Sequence, residues 1–347
     1  MNYEIVEQRI FLQDIQEKRV LEEFLKGEGI KLDKNLEYTV GIYDNHKLIA
    51  TGSFYKNTLR CLAVNSKYQG LGILNKVVSN LLNEQYTRGY DHIFLYTKCN
   101  TAEFFSYLGF QEIVKIDGLA VFMENKYHGV KSYSENLSKF KVEGDAIASI
   151  VMNANPFTLG HLHLIEKAAK ENNIVHVFVV SEEVSVIPFE VRYELIKKGT
   201  EHLTNVIIHK AGPYIISSAT FPSYFVKDDI AAVEVHARLD LEVFKTYIVP
   251  ALGIKNRYVG EEPYCEVTKT YNNIMKNCLE AEGIQCNIVP RLKSYNKPIS
   301  ASRVRELIRN NNIEGIKDIV PKSTYEYFIS EEAKPIINKI KINLGRH

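Results

Sequence analysis

Apolar residues recur along this chain in two rhythms, and the change from one to the other near residue 125 divides it. In the first part short alternating runs dominate. "EYTVGIYDNHKLIATGSFY" reads as two strands around an Asp-Asn-His turn, an antiparallel hairpin. "TLRCLAV" and "HIFLYT" are further strands, and between them "GILNKVVSNLLNEQYTRGY" repeats its apolar positions at helical spacing. "NTAEFFSYLGFQEI" reads as a short helix, a turn at Gly109 and a strand. Residues 128–145 are polar, weakly patterned and rich in Lys, Ser and Asn, which marks a linker or connecting helix. Beyond them come a strand over Ala146–Met152, a helix from Thr158, a strand over Ile174–Val180, a helix near Glu190–His202 and a strand over Val206–His209. That alternation predicts a doubly wound parallel sheet with helices on both faces. The expected organisation is an α+β domain over residues 1–127, the linker, and an α/β domain over residues 146–347.

The length of 347 residues suits about two domains. Lys and Arg number 43 against 42 Asp and Glu, with no basic tail or charge block, so nothing points to nucleic acid or an anionic membrane as the main partner. Cys61, Cys99, Cys265, Cys278 and Cys286 form no C-x-x-C pair and no zinc-like cluster, a scattered odd set that fits reduced thiols in a cytoplasm. The N-terminal residues lack a signal-peptide core. The longest strongly apolar run, Ile174–Val180, is broken by His176 and is too short to span a bilayer. A soluble cytoplasmic protein is expected.

Chemistry concentrates in "NANPFTLGHLHLIEKAA", from Asn153 to Ala169. An apolar strand breaks at Asn-Pro and places Thr158, Gly160 and His161 directly ahead of a helix. Strand, tight turn and helix N-terminus leave several backbone N–H groups aimed at one spot, which suits a phosphate. The plainer alternative is a simple αβ connection with Thr158 as N-cap and two solvated histidines. His163 is expected on a different helix face, outside the site. Far downstream, "KPISASRVRELI" has a strand end at Ile299, Ser300 as N-cap and a helix beyond. Arg303 and Arg305 fall in its first turns, unfavourable for cations unless an anion is shared with the helix N-terminus. Ser302 and Arg305 share one face, and the alternative is a capped surface helix with solvated arginines.

Other positions are weaker. Arg192 and Lys227 are phosphate contacts to weigh against solvated charges, and Ser217 and Ser218 in "SSATFPSYF" precede an expected Pro-started helix. "VEVHARLD" sets His236, Arg238 and Asp240 after an apolar strand, and ligands collect at strand C-termini in open parallel sheets. In the first half Gln69, Gly70 and Gly72 lie between a strand and a long helix, where glycines let a backbone approach an anion. Asn75 stands where a dinucleotide fingerprint needs its third glycine. His46 and His92 read as solvated, and Tyr107 is weighed as a general base against a packing role.

These strings resemble known families. Residues 1–125 are similar to GNAT acetyltransferases, whose Q/R-x-x-G-x-G/A motif grips the pyrophosphate of acetyl-CoA. Gln69, Gly72 and Leu74 occupy the motif positions, Leu74 where that family has Gly or Ala, and "FF-x-x-LGF" matches its later helix-strand unit. T-L-G-H and I-S-A-S-R-V-R resemble the nucleotidyltransferase signatures H/T-x-G-H and I-S-S-T-x-x-R, through Thr158, Gly160, His161 and through Ser300, Ser302, Arg305. Longer strings, "YVGEEPYCEVTKTYN" among them, and the fusion of two such halves resemble the citrate lyase ligase family over almost the whole chain.

That resemblance implies a GNAT-like α+β domain followed by a Rossmann-like, doubly wound nucleotidyltransferase domain. It implies an AMP-forming ligase using ATP and Mg2+, with no tightly bound protein-ligated metal, that converts acetate to acetyl-AMP and pyrophosphate. The acetyl group then passes to the thiol of the CoA-like, dephospho-CoA-derived prosthetic group on the citrate lyase acyl carrier subunit. Thr158, His161 and Arg305 would be catalytic; Asn155, Pro156, Phe157, Gly160, Ser300, Ser302 and Arg303 would bind ATP. Arg192, Ser217, Ser218, Lys227, His236 and Arg238 would face substrate or phosphate, and Gln69, Gly70 and Gly72 the prosthetic group. Two alternatives stand beside it. One is an adenylyltransferase making a nucleotidyl cofactor of the pantetheine-phosphate or nicotinamide-mononucleotide type; the other is a non-catalytic nucleotide-sensing or carrier-docking protein.

Overall fold

The alternating runs of the first half form strands. The computed structural model describes residues 5–181, 185–216, 221–222, 224, 226, 229–262, 266–294 and 297–343. Its chain divides into two units, Met1–Tyr133 with Thr220–Glu242, and Ser134–Ala219 with Val243–His347. The first contains β1 (Ile5–Arg9), α1 (Ile15–Gly27), β2 (Tyr38–Asp44), β3 (Lys47–Tyr55), β4 (Thr58–Val64) and α2 (Ile73–Thr87). After these come β5 (Phe94–Thr97), α3 (Ala102–Ser106), β6 (Gln111–Ile116) and β7 (Ala120–Glu124). The sheet order is β1-β2-β3-β4-β5-β7-β6. Asn45 and His46 turn the β2–β3 hairpin with positive φ, as the Asp-Asn-His signal predicts.

Helix α2 lies on this sheet through Ile73, Val77, Val78 and Leu81, the stripe its spacing predicts. Each such side chain contributes about 1.5–3 kcal/mol by leaving water. Gly52 in β3 permits the close approach: a Cβ there would sit 2.5 Å from a Val77 methyl and 2.8 Å from a Leu81 methyl. Strands β4 and β5 are parallel and pair only at Thr58 with Phe94 and Leu59 with Leu95, so the sheet opens beyond that point. Tyr224, from far down the chain, completes this unit. Its carbonyl accepts from the Lys31 amide at 2.9 Å, and its buried hydroxyl donates to the Tyr96 carbonyl at 3.3 Å.

The polar stretch after residue 128 contains helix α4 (Gly129–Ser138). The second half then runs β8 (Ile147–Met152), α5 (Leu159–Glu171), β9 (Ile174–Val179), α6 (Phe189–Gly199), β10 (Val206–Lys210), α7 (Asp229–Val243) and α8 (Val249–Leu252). It continues through β11 (Asn256–Gly260), α9 (Glu266–Glu280), β12 (Gln285–Val289), the two-residue strands β13 (Lys293–Ser294) and β14 (Lys297–Pro298), α10 (Ala301–Arg309), α11 (Lys322–Ile329) and α12 (Lys334–Ile342). Strands β10-β9-β8-β11-β12 form one sheet, parallel throughout. The chain winds outward from β8 to β10, then returns to the other side of β8 with β11. Such a reversal opens a crevice at the strand C-termini.

Two expectations fail here. "VEVHARLD" is part of α7, not the end of a strand. From Val233 to Val243 apolar and polar residues alternate strictly, the pattern of a strand; yet Val235, His236, Ala237, Leu239, Asp240 and Leu241 are all buried. A helix covered on most sides does not need a single apolar stripe, so the period misleads. Nor does a helix begin at Pro222: Phe221 and Pro222 are not helical, and α7 opens at Asp229.

Candidate active site

The crevice at the C-terminal ends of β8, β11 and β12 is a cavity of about 570 Å³. Asn155, Thr158, Gly160 and His161 line it from the β8–α5 turn, and Ser300, Ser302 and Arg305 from the start of α10. Thr158 caps α5: its Oγ1 accepts from the His161 amide at 3.3 Å, while its own amide donates to His161 Nδ1 at 3.1 Å. Burial first, and then the charge of Arg291, hold His161 down to about 4, so the ring is neutral near pH 7. Since Nδ1 accepts a peptide N–H, the hydrogen-bond network assigns the ring proton to Nε2. His161 is thus a neutral N–H donor at a helix N-terminus.

The two motifs are joined directly. Arg305 is 4 % exposed; its Nη1 donates to the Asn155 carbonyl and its Nη2 to Ser302 Oγ at 3.4 Å. Burial, and after it the charge of Arg309, pull its pKa down from the ordinary arginine value. Ser300 Oγ accepts from the Arg303 amide at 3.2 Å and caps α10. Gly160 packs under this junction, where an added Cβ would meet the Ile299 carbonyl at 3.4 Å. Two helix N-termini therefore converge on one cavity, as an anion requires.

Several residues stand elsewhere than the sequence suggests. Arg192 is buried and is no phosphate contact: its Nε donates to the Ile187 carbonyl at 3.0 Å, and its Nη1 to those of Asn153 and Val180 at 2.7 and 2.9 Å. It clamps the loops after β8 and β9. Phe157 and Pro156 are buried off the cavity wall, the Phe157 ring packing in the core beside α6. Arg303 turns away to the Ser294 carbonyl at 3.3 Å. His236 packs against the Phe221 ring and Arg238 pairs with Glu234 at 2.9 Å, both on α7 in the first unit. Ser217, Ser218 and Lys227 lie outside the described residues. His163, by contrast, lines the cavity, which wraps around the first turn of α5. Arg291 after β12, and Glu261, Glu262 and Thr268 after β11, line it too and were missed. Arg291 Nε donates to the Glu261 carbonyl at 2.8 Å, and its Nη2 pairs with the Glu262 carboxylate. Glu261–Glu262 and Pro290–Arg291 directly follow β11 and β12, so the strand-end rule applied to them would have found this side of the cavity.

The opening between β4 and β5 holds a second cavity, of about 660 Å³ within the first unit. Gln69, Gly70, Gly72 and Leu74 line it. Gly70 and Gly72 have φ of +77° and +73°, which favour glycine, and Gly72 starts α2 without a side-chain cap. Gln69 Nε2 donates to the Val64 carbonyl at 3.2 Å. Tyr107 lines the mouth, but its hydroxyl donates to Glu103 at 2.8 Å, which pushes its pKa up and disqualifies it as a resting base. His92 is not simply solvated; its Nε2 lies 2.6 Å from the buried Glu124 carboxylate.

Residues 147–328 match the family model of the citrate lyase ligase C-terminal domain. A [citrate [pro-3S]-lyase] ligase of Escherichia coli is 38% identical over 310 residues, 88% of this chain and 88% of that one. The ligase of the same description from Klebsiella pneumoniae is 36% identical over 322 residues, 92% of this chain and 94% of that one. Among solved structures, Escherichia coli ElaA aligns at a TM-score of 0.31 and 14% identity, over 36% of this chain and 99% of that one.

Proposed function

This chain belongs to the citrate lyase ligase family, and we propose that it adenylates acetate at the second unit's cavity and passes the acetyl group to a carrier thiol. The observation that carries the reading is the convergence of the α5 and α10 N-termini on one cavity, lined also by His161, at a strand switch point. An acetate oxygen attacks the α-phosphorus of ATP; the new C–O–P bond forms as the bond to the β-phosphate oxygen breaks, and pyrophosphate leaves. The residues supply position and charge rather than a nucleophile: helix N–H groups and His161 donate to phosphate oxygens, Arg305 locks the two helices in register, and Arg291 faces them. Mg2+ would arrive on the phosphates and be held mainly by them and by water, with Glu261 as a carboxylate on the cavity wall, Glu262 being paired with Arg291.

In the second step the carrier thiol attacks the acetyl carbon, the C–S bond replaces the C–O bond, AMP departs and the thiol proton goes to solvent. The first unit's cavity is assigned to the CoA-like prosthetic arm of the citrate lyase acyl carrier subunit, with its phosphates at the uncapped start of α2. The setting is proposed to be cytoplasmic: Cys61, Cys99, Cys278 and Cys286 are free thiols, and no helix among the described residues is long and apolar enough to cross a membrane. Exchange of labelled pyrophosphate into ATP tests the first step. Exchange that requires acetate is expected; exchange absent in the presence of acetate and Mg2+ would sink the reading.

A further inference from the structure

Burying a guanidinium is costly unless it is well hydrogen-bonded, and Arg192 is fully buried. It stands one contact behind the wall of the second unit's cavity. The Asn153 carbonyl that accepts from its Nη1 belongs to the turn Asn153, Ala154, Asn155, and all three residues line that cavity. The turn has an uncommon shape. Ala154 has a φ of +49°, in the left-handed region that a residue with a Cβ rarely enters, and such a backbone persists only where its surroundings impose it. Two guanidiniums do so: Arg192 donates to the carbonyl of the residue before Ala154, and Arg305 to the carbonyl of the residue after it. Side chains add to the hold. Asn153 exchanges two hydrogen bonds with the Ser185 hydroxyl, at 2.9 and 3.1 Å, and Asn155 Oδ1 accepts from the Ile187 amide at 3.2 Å. Arg192 Nε donates to the Ile187 carbonyl at 3.0 Å, so one side chain fixes both the turn and the segment stitched to it. A planar fork of donors can do this, and a single ammonium cannot.

We infer, resting on the reading that this cavity adenylates acetate, that Arg192 is a positioning residue for the reaction. From behind the wall it keeps the turn in its left-handed shape, so that the N-terminus of α5 and the His161 donor stand where charge develops on the phosphates. It acts through the turn and touches no nucleotide. Rate is at stake more than affinity. The charges that would attract ATP, those of Arg291 and of the helix N-termini, survive a small displacement of the turn. Donors aimed at a transition state do not, since a shift of about 1 Å is enough to cost much of their effect.

Full-length Arg192→Lys keeps the buried positive charge and loses the fork. Its steady-state pyrophosphate exchange is measured with acetate and Mg2+, well below the melting temperature found for the variant. There kcat is expected to fall at least about tenfold while KM for ATP stays within about threefold. Ala154→Gly, which takes positive φ freely, should recover at least about threefold of that rate when added to Arg192→Lys. Should Arg192→Lys fail to fold, Ser185→Ala at a half-buried position loosens the same turn, and it should lower kcat about threefold without a matching rise in KM. An unchanged kcat there, or a wild-type kcat in folded Arg192→Lys, would overturn the role. A loss carried by KM alone would overturn it too, by placing Arg192 in nucleotide binding. A loss that Ala154→Gly leaves untouched would make Arg192 a structural tie at the sheet edge and no more. If the wild type itself shows no acetate-dependent exchange, adenylation fails as the reading, and the positioning role falls with it.

Discussion

Losing the His161 imidazole removes a donor from the cavity and a cap partner from α5 in one step. His161→Ala is therefore expected to slow acetate-dependent pyrophosphate exchange by about 10²–10³, the usual loss for one preorganised donor, while the protein stays folded. Exchange at the wild-type rate would remove His161 from the mechanism. Of the two arginines on the wall, Arg305 is buried against Asn155, whereas the Arg291 side chain is 25% exposed and faces the same space as His161. Arg291→Gln should weaken ATP binding about tenfold and AMP binding little, since the lost charge acts on the outer phosphates. Calorimetric titration with both nucleotides decides it, and equal weakening of both would place Arg291 at the adenosine instead. Thr158, Gly160 and His161 could be found in the sequence because local turn chemistry marks them. Arg192 could not: its type suggests a phosphate ligand, and only its three carbonyl partners show it to be a clamp.

At the scale of elements, the β2–β3 hairpin and the β8-α5-β9-α6-β10 run were legible because turn residues and periods agree there with the final packing. Helix α7 was not, since burial on most sides frees a helix to alternate like a strand. Packing that no period encodes governs Gly52, where Gly52→Val would push a branched side chain into Val77 and Leu81 and cost about 1–3 kcal/mol, read as a lowered unfolding midpoint in urea. An unchanged midpoint would mean that α2 lies further from the sheet. Strands β9 and β10 carry a different liability. His176 and His209 are buried and share a hydrogen bond of 2.9 Å between Nδ1 and Nε2, and burial holds both down to about 4. Unfolded histidine titrates near 6.5, so between about pH 6.5 and 4 the unfolded chain binds protons that the folded one refuses. Stability present above pH 6.5 is thus expected to fall as pH drops through that window, by roughly 1 kcal/mol per unit for each histidine. Denaturant midpoints at several pH values, compared with those of a His176→Leu/His209→Leu variant, check this; parallel slopes would contradict it.

For the molecule as a whole, the prediction concerns division of labour. Gly72→Glu adds a carboxylate and a positive-φ strain where the arm's phosphates would approach α2, in open space at the surface, at a cost of about 1–2 kcal/mol. Pyrophosphate exchange should continue near its normal rate while carrier acetylation falls at least tenfold. A joint fall in a folded protein would show that the two activities are not separable by cavity. One contact described above bears on when the protein becomes active during its own synthesis. Asn155 and Arg305 stand 150 residues apart, and the hydrogen bond between them joins the two halves of the proposed adenylating site. A nascent chain that has emerged through β10 already carries the first half, with its donor histidine, but has nothing to close it. Closing so large a loop is slow and comes late. The growing polypeptide can therefore fold its sheet before that bond exists, and on the proposed function it gains competence to spend ATP only once α10 has left the ribosome.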